Sequence, residues 1–399
     1  MKNVRFCILG AGPSGLAFAA ALVKAGCDSF VLLEKEAEAG GLCRSAMVDG
    51  APLDIGGGHF LDVRRQRVLD FLFRFLPREE WREFERTAKI RIRGGEVEHP
   101  LEGNLWQLPS DDQIDFLESI AHAGSVQGTP EPGTFEDWIR WKLGKRIAEE
   151  YMLPYNRKIW SMPLSALATD WMHKLPAVSF RETLKSCLER KPGGNVPAHG
   201  RFLYPRAHGY GEVWKRIAAS LGERFMPGYE LKTIDVEKRI VDGSIQADMI
   251  VNTIPWDAWI RLARLPEVVQ SAVGKLVYTG VHVDYRSENL ASPAHWIYEP
   301  DEAVPHHRLL LRHNFVAGAR GHWTETNVLR SSNHQGFRST NEHAYPVSTL
   351  GKTEAIATVL AWARGHGIIG LGRWGTWEHL NSDVAVDLAL TCAEGILAS

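Results

Sequence analysis

The sequence predicts an α/β protein built from a Rossmann-type domain, a mainly helical domain and an antiparallel β-sheet domain. Three observations lead to this fold class. A glycine-rich turn near the N-terminus joins an apolar run to a segment with helical spacing. Charged and apolar residues then alternate at helical spacing over much of residues 64–151. Finally, β-branched and aromatic runs between turn signals follow in residues 276–315, as in the strands of an antiparallel sheet.

The N-terminal segment has the pattern of a β-α-β unit. Val4–Leu9 is a short apolar run, residues 16–25 have helical spacing, and Phe30–Leu33 is a second apolar run. These pieces fit within the thirty or so residues that such a unit requires. A further buried strand is predicted over residues 247–254 and a last helix over 382–397.

The remaining elements follow from periodicity and turn residues. Thr134, with Asp137 three places on, is typical of a capped helix start. The predicted elements are helices over 64–86, 111–123 and 134–151, a Gly/Pro/Asn-rich loop over 191–199, and strands over 276–284, 295–299 and 308–315. The predicted regions are 1–62, 200–268 and 350–399 for the dinucleotide domain, 63–199 for the helical domain and 269–349 for the antiparallel sheet.

Composition narrows the possible functions. The 399 residues carry a net charge of −2, which argues against a general nucleic-acid surface. The five cysteines form no CxxC pair, as expected of reduced thiols, and we assign no metal site. The longest apolar run, residues 16–23, is too short to span a bilayer, and the N-terminus lacks a signal-peptide pattern. We therefore expect a soluble, cytoplasmic protein with no integral membrane segment.

The sequence from Gly10 to Gly15, Gly-Ala-Gly-Pro-Ser-Gly, predicts a dinucleotide site. Gly10 permits a tight turn, Gly12 lets a pyrophosphate approach the backbone, and Gly15 allows close packing of helix on strand. The helix N-terminus offers free N–H groups to the phosphates. Glu34, 19 residues after Gly15, is positioned to bond ribose hydroxyls. The residues assigned to this part of the site are Gly10, Gly12, Pro13, Ser14, Gly15, Glu34 and Lys35.

Three further segments favour FAD over NAD. The segments 40–44 (GGLCR), 54–60 (DIGGGHF) and 370–383 (GLGRWGTWEHLNSD) resemble, in turn, the second phosphate motif, the flavin-facing stretch and the closing motif of the FAD-binding amine oxidase and mutase superfamily. The resemblance implies non-covalently bound FAD. The residues it assigns to the cofactor are Gly41, Leu42, Arg44, Gly57, Gly58, His59, Arg373, Asn381 and Asp383.

Within that superfamily the chain resembles the UDP-galactopyranose mutases, most of all the eukaryotic-type branch and its bacterial relatives. The similar segments are 154–160 (PYNRKIW), the loop that starts at 194–195, the turn at 204–209 (YPRAHG), and 343–346 (HAYP). The resemblance implies a substrate site formed by Met152, Tyr155, Asn156, Trp160, Lys174, Asn195, His199, Tyr298, Arg308, Tyr345 and His379.

Such enzymes interconvert the pyranose and furanose forms of a nucleotide sugar, with N5 of reduced flavin attacking the anomeric carbon to form an adduct. The resemblance assigns catalytic roles to Arg308, Lys174 and His59. The two cations would stabilise the charge that develops on the departing diphosphate. The implied partners are a nucleotide sugar, expected to be UDP-linked, and an external reductant such as NAD(P)H or a flavin reductase.

The sequence departs from the family at several positions of the expected pocket. Lys174 stands where the family has an arginine, and His379 and Phe315 stand where it has tyrosines. Leu101 and Glu102 replace a Phe-Gln pair that contacts uracil, and an ionised carboxylate cannot donate as an amide does. These departures leave the sugar and the base open.

Two other functions remain open at this point. One is an FAD oxidase or desaturase acting on an amine, porphyrinogen or carotenoid-like substrate, since those enzymes share the FAD framework. The other is a flavin-bound regulatory or scaffolding protein without turnover. The cations at 174 and 308, together with Tyr155 and Asn156, favour a diphosphate and a base, and hence the mutase.

Overall fold

The computed structural model describes residues 1–172, 178–194, 200–330 and 333–398. The helices in this part of the chain are α1 (Pro13–Lys24), α2 (Gln66–Leu72), α3 (Ser110–Ala121), α4 (Gly124–Gln127), α5 (Phe135–Ile147), α6 (Leu153–Trp160), α7 (Phe180–Glu189), α8 (Gly211–Ser220), α9 (Trp259–Leu262), α10 (Glu267–Gly274), α11 (Lys352–Gly365), α12 (Gly372–Gly375) and α13 (Ser382–Ala398). The strands are β1 (Lys2–Leu9), β2 (Phe30–Leu33), β3 (Ser45–Val48), β4 (Ala51–Asp54), β5 (Leu61–Asp62), β6 (Trp81–Glu85), β7 (Ala88–Ile92), β8 (Gly95–Glu98), β9 (Arg201–Pro205), β10 (Phe225–Met226), β11 (Ile234–Asp235), β12 (Ile240–Val241), β13 (Ile245–Asn252), β14 (Tyr278–Arg286), β15 (Trp296–Tyr298), β16 (Arg308–Leu310), β17 (His322–Asn327), β18 (Arg338–Pro346) and β19 (Ile368–Gly370).

The first sheet has the doubly wound arrangement that the N-terminal pattern predicts. Its order is β10-β2-β1-β13-β12-β11, with β19 beside the C-terminal part of β13. The pairs β10–β2, β2–β1, β1–β13 and β13–β19 are parallel, whereas β11 and β12 join antiparallel at one edge. The predicted strands at 4–9, 30–33 and 247–254 therefore lie side by side, and the predicted α/β fold class is confirmed.

Both faces of this sheet are covered by helices, as a parallel sheet requires. On one face, Phe6, Ile8 and Leu32 pack in one cluster with residues of α1, α8 and α13. On the other, Cys7 and Val31 belong to a second cluster that includes residues of α10 and α11. Alternate strand residues thus enter opposite cores, which fixes the register of the sheet.

The second large sheet runs in the order β18-β14-β17-β16-β15-β7-β8. Its neighbouring strands are antiparallel except for β15 and β7. Ile90, Ile92 and Val97 of β7 and β8 pack with the helices α3, α5 and α6 in a third apolar cluster. This sheet therefore includes two strands, β7 and β8, from residues 63–199, the range predicted to be mainly helical. The predicted division of the chain into three regions stays a prediction.

The prediction of a helix over residues 64–86 is correct only for its first turns and wrong for the rest. Helix α2 ends at Leu72, and residues 81–85 form strand β6, which pairs with β9. Pro77 lies between the two elements and cannot donate a helical hydrogen bond. Pairing with β9 buries Trp81 and Phe84. The charged residues of this segment can occupy the exposed face of a strand as well as that of a helix, so the tertiary pairing decides between the two.

The strand expected over residues 308–315 is shorter than predicted because Arg312 turns inward. Strand β16 ends at Leu310, and Arg312 begins a short 3-10 turn. The guanidinium of Arg312 is fully buried and donates to the carbonyl oxygens of Val48 (2.8 Å), Ala51 (3.0 Å) and Arg320 (2.6 Å). One side chain thus joins the β3–β4 hairpin to the second sheet.

Among the helices in the described part of the chain, none combines the length and apolar character needed to cross a bilayer.

We predict that Arg312→Ala lowers the free energy of unfolding by about 3 kcal/mol, because two buried carbonyl groups and a part-buried one lose their donor at once. Urea unfolding of the two proteins measures the change. Arg286→Ala, at an exposed strand end, is the matched control and should stay within about 0.5 kcal/mol of the parent. Equal midpoints for both variants would contradict the structural role of Arg312.

Candidate functional site

The glycines of the first turn have the geometry that the motif predicts. Gly10 lies at φ +96°, a conformation that favours glycine, and an added Cβ at Gly15 would lie 2.0 Å from the carbonyl oxygen of Gly10. Gly12 differs, because a Cβ there would meet no atom within 4 Å. Pro13 follows as the first residue of α1. The turn therefore packs closely against the protein at Gly15 and leaves open space beside Gly12, as a bound pyrophosphate requires.

Glu34 lies where the motif expects a ribose ligand. Its carboxylate accepts hydrogen bonds from the backbone N–H groups of Ala11 (2.7 Å) and Glu36 (3.0 Å), and the residue is buried. A carboxylate has further lone pairs for hydroxyl donors. The side chain of Lys35, also assigned to the cofactor, is 72% exposed and lies 3.9 Å from Glu36. The side chain of Lys35 is therefore directed to solvent, and its assignment to the cofactor stays a prediction.

A second glycine turn extends the site along the protein. Gly41 lies at φ +53°, and its Cβ position would be 3.2 Å from Cα of Gly12. Arg44 donates to the carbonyl oxygen of Gly41 (3.0 Å) and to the carboxylate of Glu36 (3.1 Å), so its cation is fixed beside the turn. Leu42 passes so close to Gly56 that a Cβ on Gly56 would overlap the Leu42 carbonyl. The two predicted glycine segments therefore meet.

The C-terminal segment closes the same region. Arg373 donates to the backbone carbonyl oxygens of Leu380 (2.7 Å) and Ala344 (2.8 Å). Asn381 immediately precedes α13, whose first turn contains Asp383. Asp383 is buried and pairs with Arg65 at 2.9 Å. The segment predicted to close the site therefore brings a helix N-terminus to it, with its positive dipole end toward the cavity.

A cavity of about 1000 Å³ extends from these elements into the space between the second sheet and the helices. Its wall includes many of the residues predicted for the flavin and the substrate, namely Gly57, Gly58, His59, Met152, Tyr155, Asn156, Trp160, Tyr298, Arg308, Tyr345, Arg373, His379 and Asn381. Among the described residues, the charged wall residues are mostly cations, namely Arg64, Arg65, Arg86, Lys142, Arg308, Lys352 and Arg373, against Glu102, Asp170 and Glu378. Arg64, Arg65 and Arg308 pair with Asp62, Asp383 and Glu325 behind this wall, so the excess of positive charge that would favour an anionic ligand is small.

The buried carboxylate of Glu325 connects the glycine loop to the cation at 308. It accepts hydrogen bonds from the backbone N–H of Gly58 (2.8 Å) and from Nε of Arg308 (2.8 Å), and it lies 3.6 Å from His307. Burial alone would raise the pKa of Glu325, but the Arg308 charge prevails and lowers it to about 2. Arg308 uses Nε and Nη2 for this pair, which leaves Nη1 to donate to a ligand.

Tyrosine hydroxyl groups add uncharged donors beside Arg308. The hydroxyl oxygen of Tyr298 accepts from Trp296 Nε1 (3.0 Å) and from Arg86 (3.4 Å), so its own proton is available to a ligand. Burial raises the pKa of Tyr155 and of Tyr345, which keeps both hydroxyls protonated. The rings of Tyr155 and Tyr298 are in edge contact at 5.4 Å, which holds both in position.

Asn156 forms hydrogen bonds with two other predicted ligand residues. The side-chain amide of Asn156 donates to the carbonyl oxygen of Met152 (2.8 Å), and its oxygen accepts from Trp160 Nε1 (3.0 Å). This arrangement fixes the Trp160 ring at the cavity wall.

His59 is held as a neutral ring. Its Nδ1 lies 2.9 Å from the carbonyl oxygen of Gly57, which fixes the Nδ1–H tautomer. Burial, followed by the charge of Arg373, lowers the pKa of His59 to about 4. The ring can therefore accept a hydrogen bond from a ligand at Nε2 but carries no charge at neutral pH.

Some predicted residues lie elsewhere. Lys174, Asn195 and His199 fall outside the described residues, so their roles stay predictions. Phe315 packs in the core against Phe60 and Tyr204 rather than on the cavity wall. In the described ranges, no group of three or more His, Cys, Asp or Glu side chains is arranged to hold a metal ion.

Sequence reasoning missed Glu325, Arg86 and Lys142. A signal for Glu325 exists in the segment Trp-Thr-Glu-Thr-Asn of β17, because a carboxylate among threonines in a fully buried strand requires a cationic partner. Arg86 and Lys142 carry no comparable signal, since each stands in a segment with several other charges. Their positions become informative only when the fold brings them to one cavity.

We predict that Gly12→Ala impairs cofactor binding, whereas Gly15→Ala impairs the stability of the protein itself. The alanine at 12 meets open space, so the protein should fold with its melting temperature nearly unchanged but should lose FAD, because the methyl group occupies the pyrophosphate position. The alanine at 15 overlaps backbone and should lower the melting temperature of the FAD-free protein itself. Thermal unfolding and flavin absorbance after reconstitution measure both effects. Wild-type FAD content in Gly12→Ala would contradict the site.

Comparisons with known proteins agree with this geometry. Residues 8–75 match the NAD(P)-binding Rossmann-like domain family. A protein of Methanothermococcus thermolithotrophicus, described as an uncharacterized protein in the nifH2 3' region, is 38% identical over 94 residues, which are 22% of this chain and 89% of that protein. Reduced UDP-galactopyranose mutase superposes with a TM-score of 0.89 at 21% identity over 99% of this chain and 94% of that one. A putative protoporphyrinogen oxidase of Exiguobacterium sp. 255-15 superposes with a TM-score of 0.71 at 17% identity over 99% of both chains.

These findings confirm the predicted resemblance at the level of the fold. The chain belongs to the same family as the archaeal protein, and it has the fold of UDP-galactopyranose mutase, with a Rossmann-like dinucleotide-binding segment at its N-terminal end.

Proposed function

We propose that the chain is an FAD-dependent nucleotide-sugar mutase that interconverts pyranose and furanose forms of a UDP-linked sugar. The observation that carries the proposal is the junction of Gly58, Glu325 and Arg308, which brings the loop predicted to face the flavin and the cation predicted to bind the diphosphate to one cavity. The structural similarity to UDP-galactopyranose mutase over 99% of the chain supports it.

The residues present fit FAD. The open side of Gly12 and the close approach of Gly41 would leave room for a pyrophosphate. Glu34 would bind the ribose hydroxyls, and the N-terminus of α13 would face the flavin. When bound in its reduced form, the flavin supplies the nucleophile for the sugar carbon. An external reductant, NAD(P)H or a flavin reductase, would be needed to reduce it initially.

The protein's own contribution is to bind the substrate and stabilise its charge. As the bond between sugar and diphosphate breaks, negative charge grows on the phosphate oxygens. The remaining Nη1 group of Arg308 and the hydroxyl groups of Tyr155 and Tyr298 are positioned beforehand, so they would stabilise that charge without reorganising. Lys174 is proposed as the second cation.

Within the oxidase alternative, oxidation of an amine is less well supported. A protonated amine substrate would enter a cavity whose charged wall residues are mostly cations among the described part of the chain, and like charges disfavour binding. The similarity to a putative protoporphyrinogen oxidase nevertheless makes oxidation the reaction to exclude by experiment.

The experiment is a screen of nucleotide sugars with FAD-loaded enzyme, reduced by dithionite or left oxidised. We expect furanose products only with the reduced enzyme, without stoichiometric consumption of reductant. Turnover by the oxidised enzyme under oxygen, with one peroxide formed per product, would establish the oxidase instead.

We predict that Arg308→Ala lowers kcat/KM by roughly 30- to 1,000-fold, equivalent to about 2–4 kcal/mol of transition-state stabilisation. FAD content should barely change, because the guanidinium is assigned to the substrate. Steady-state kinetics and flavin absorbance measure the two effects. Wild-type kcat/KM in the variant would contradict the proposed role of Arg308.

A double variant separates this role from a structural one. Arg308→Ala leaves the Glu325 carboxylate buried without its cation, which should also cost a few kcal/mol of stability. In Arg308→Ala/Glu325→Gln the uncompensated charge is gone, so stability should recover while activity stays low. Recovery of activity together with stability would mean that Arg308 acts only in packing.

A further inference from the structure

Lys158 is a buried cation that belongs to a cavity-forming helix but does not line the cavity itself. It lies on α6, the helix that also carries Tyr155 and Asn156, and the residue is 0% exposed. Its ammonium group donates to the backbone carbonyl oxygens of Glu299 (2.6 Å) and Asp301 (2.7 Å). One side chain therefore links α6 to the segment that connects β15 to β16.

A cation in this position is costly to bury. Both of its acceptors are backbone carbonyl oxygens rather than carboxylates. Burial lowers the pKa of Lys158 to about 8, and the nearby charges of Glu299 and Asp301 oppose that shift only in part. An apolar side chain of similar size would fill the same space without this desolvation cost. What the ammonium group provides is therefore the fixed position of the two carbonyl groups.

The segment held by Lys158 leads directly to Arg308. The backbone N–H of Glu299 donates to the carbonyl oxygen of His307 (2.9 Å), and His307 immediately precedes Arg308. In the same pair of strands, Tyr298 lies directly opposite Arg308. A displacement of the Glu299 carbonyl group would therefore move Arg308 and Tyr298 with it.

At the other end of the link, α6 supplies Tyr155. This tyrosine lies three residues before Lys158, on the same side of the helix. Its ring contacts those of Tyr298 (5.4 Å) and His307 (6.1 Å) edge-on. Lys158 thus sets the spacing between Tyr155 on α6 and the groups at the ends of β15 and β16.

We propose that Lys158 is a positioning residue that acts through Arg308, by holding this cation at the distance from α6 at which both contact one diphosphate group. The inference rests on the proposed function, in which Arg308 and Tyr155 bind the diphosphate of a nucleotide. A cation that is already in place binds with less loss of conformational entropy than one that must first be ordered. Loss of the link should therefore weaken binding even though Lys158 never contacts the ligand.

The test is a double-mutant cycle on the binding of UDP to the FAD-loaded protein, measured by isothermal titration calorimetry. UDP carries the diphosphate but no sugar, so its binding requires no turnover. Lys158→Met should weaken binding about tenfold in the parent protein, because Arg308 loses its fixed position. In the background Arg308→Ala/Glu325→Gln, the same substitution should weaken binding by less than about twofold, since the group through which it acts is absent.

Arg157→Met is the matched control. Arg157 is the neighbouring residue of α6 and pairs with Glu302 of the same connecting segment at 3.4 Å, but its side chain is 41% exposed. An exposed pair of this kind contributes little, so the control should bind UDP as the parent does. A loss equal to that of Lys158→Met would mean that the buried ammonium group has no special role and would overturn the proposal.

Equal factors for Lys158→Met in the two backgrounds would also overturn it, because a purely structural effect does not depend on Arg308. The same holds for unchanged binding in the parent background. If Lys158→Met does not fold, Lys158→Gln, which retains an uncharged N–H donor, is taken through the same cycle and judged by the same criterion. A parent protein that does not bind UDP would instead contradict the proposed function on which the inference rests.

Discussion

The candidate site depends on one buried carboxylate. Glu325 is fully buried and holds both the N–H of Gly58 and the guanidinium of Arg308. A buried carboxylate is tolerated only when its charge is compensated by cations or hydrogen bonds. The pair therefore fixes the distance between the glycine loop and the cation. If the loop faces a flavin and the cation faces a diphosphate, the sugar between them is held at a set position, which is what a reaction at its anomeric carbon needs.

The fold explains why these groups meet. In parallel sheets the carboxyl ends of the strands lie at one edge, and ligands bind there. Gly10 follows β1, Glu34 follows β2 and Leu371 follows β19, so the dinucleotide elements from both ends of the chain converge. The antiparallel sheet supplies Arg308 and Glu325 from neighbouring strands, paired directly across the ladder. Residues far apart in sequence thus form one continuous site.

The sequence predicted the parts of this arrangement that depend on local geometry. Gly10, Gly12 and Gly15 are recognisable because their spacing serves one turn, and the strand at 30–33 has the predicted bounds. Prediction from the sequence failed where pairing between distant parts of the chain decides the secondary structure. Residues 81–85 form a strand because β9 is available to pair with them. Glu102 is recognisable in the sequence as a departure from the family, but its burial at the cavity wall becomes evident only from the fold.

The most direct test of the account asks whether the bond between the anomeric carbon and the diphosphate breaks reversibly. UDP-galactose labelled with ¹⁸O at the bridging position is incubated with FAD-loaded enzyme, and the label is followed by ³¹P NMR. With reduced enzyme we predict that the label moves into non-bridging positions of the β-phosphate, because the released diphosphate can rotate before the bond reforms. Sugar turnover with the label still fully at the bridging position would contradict the account.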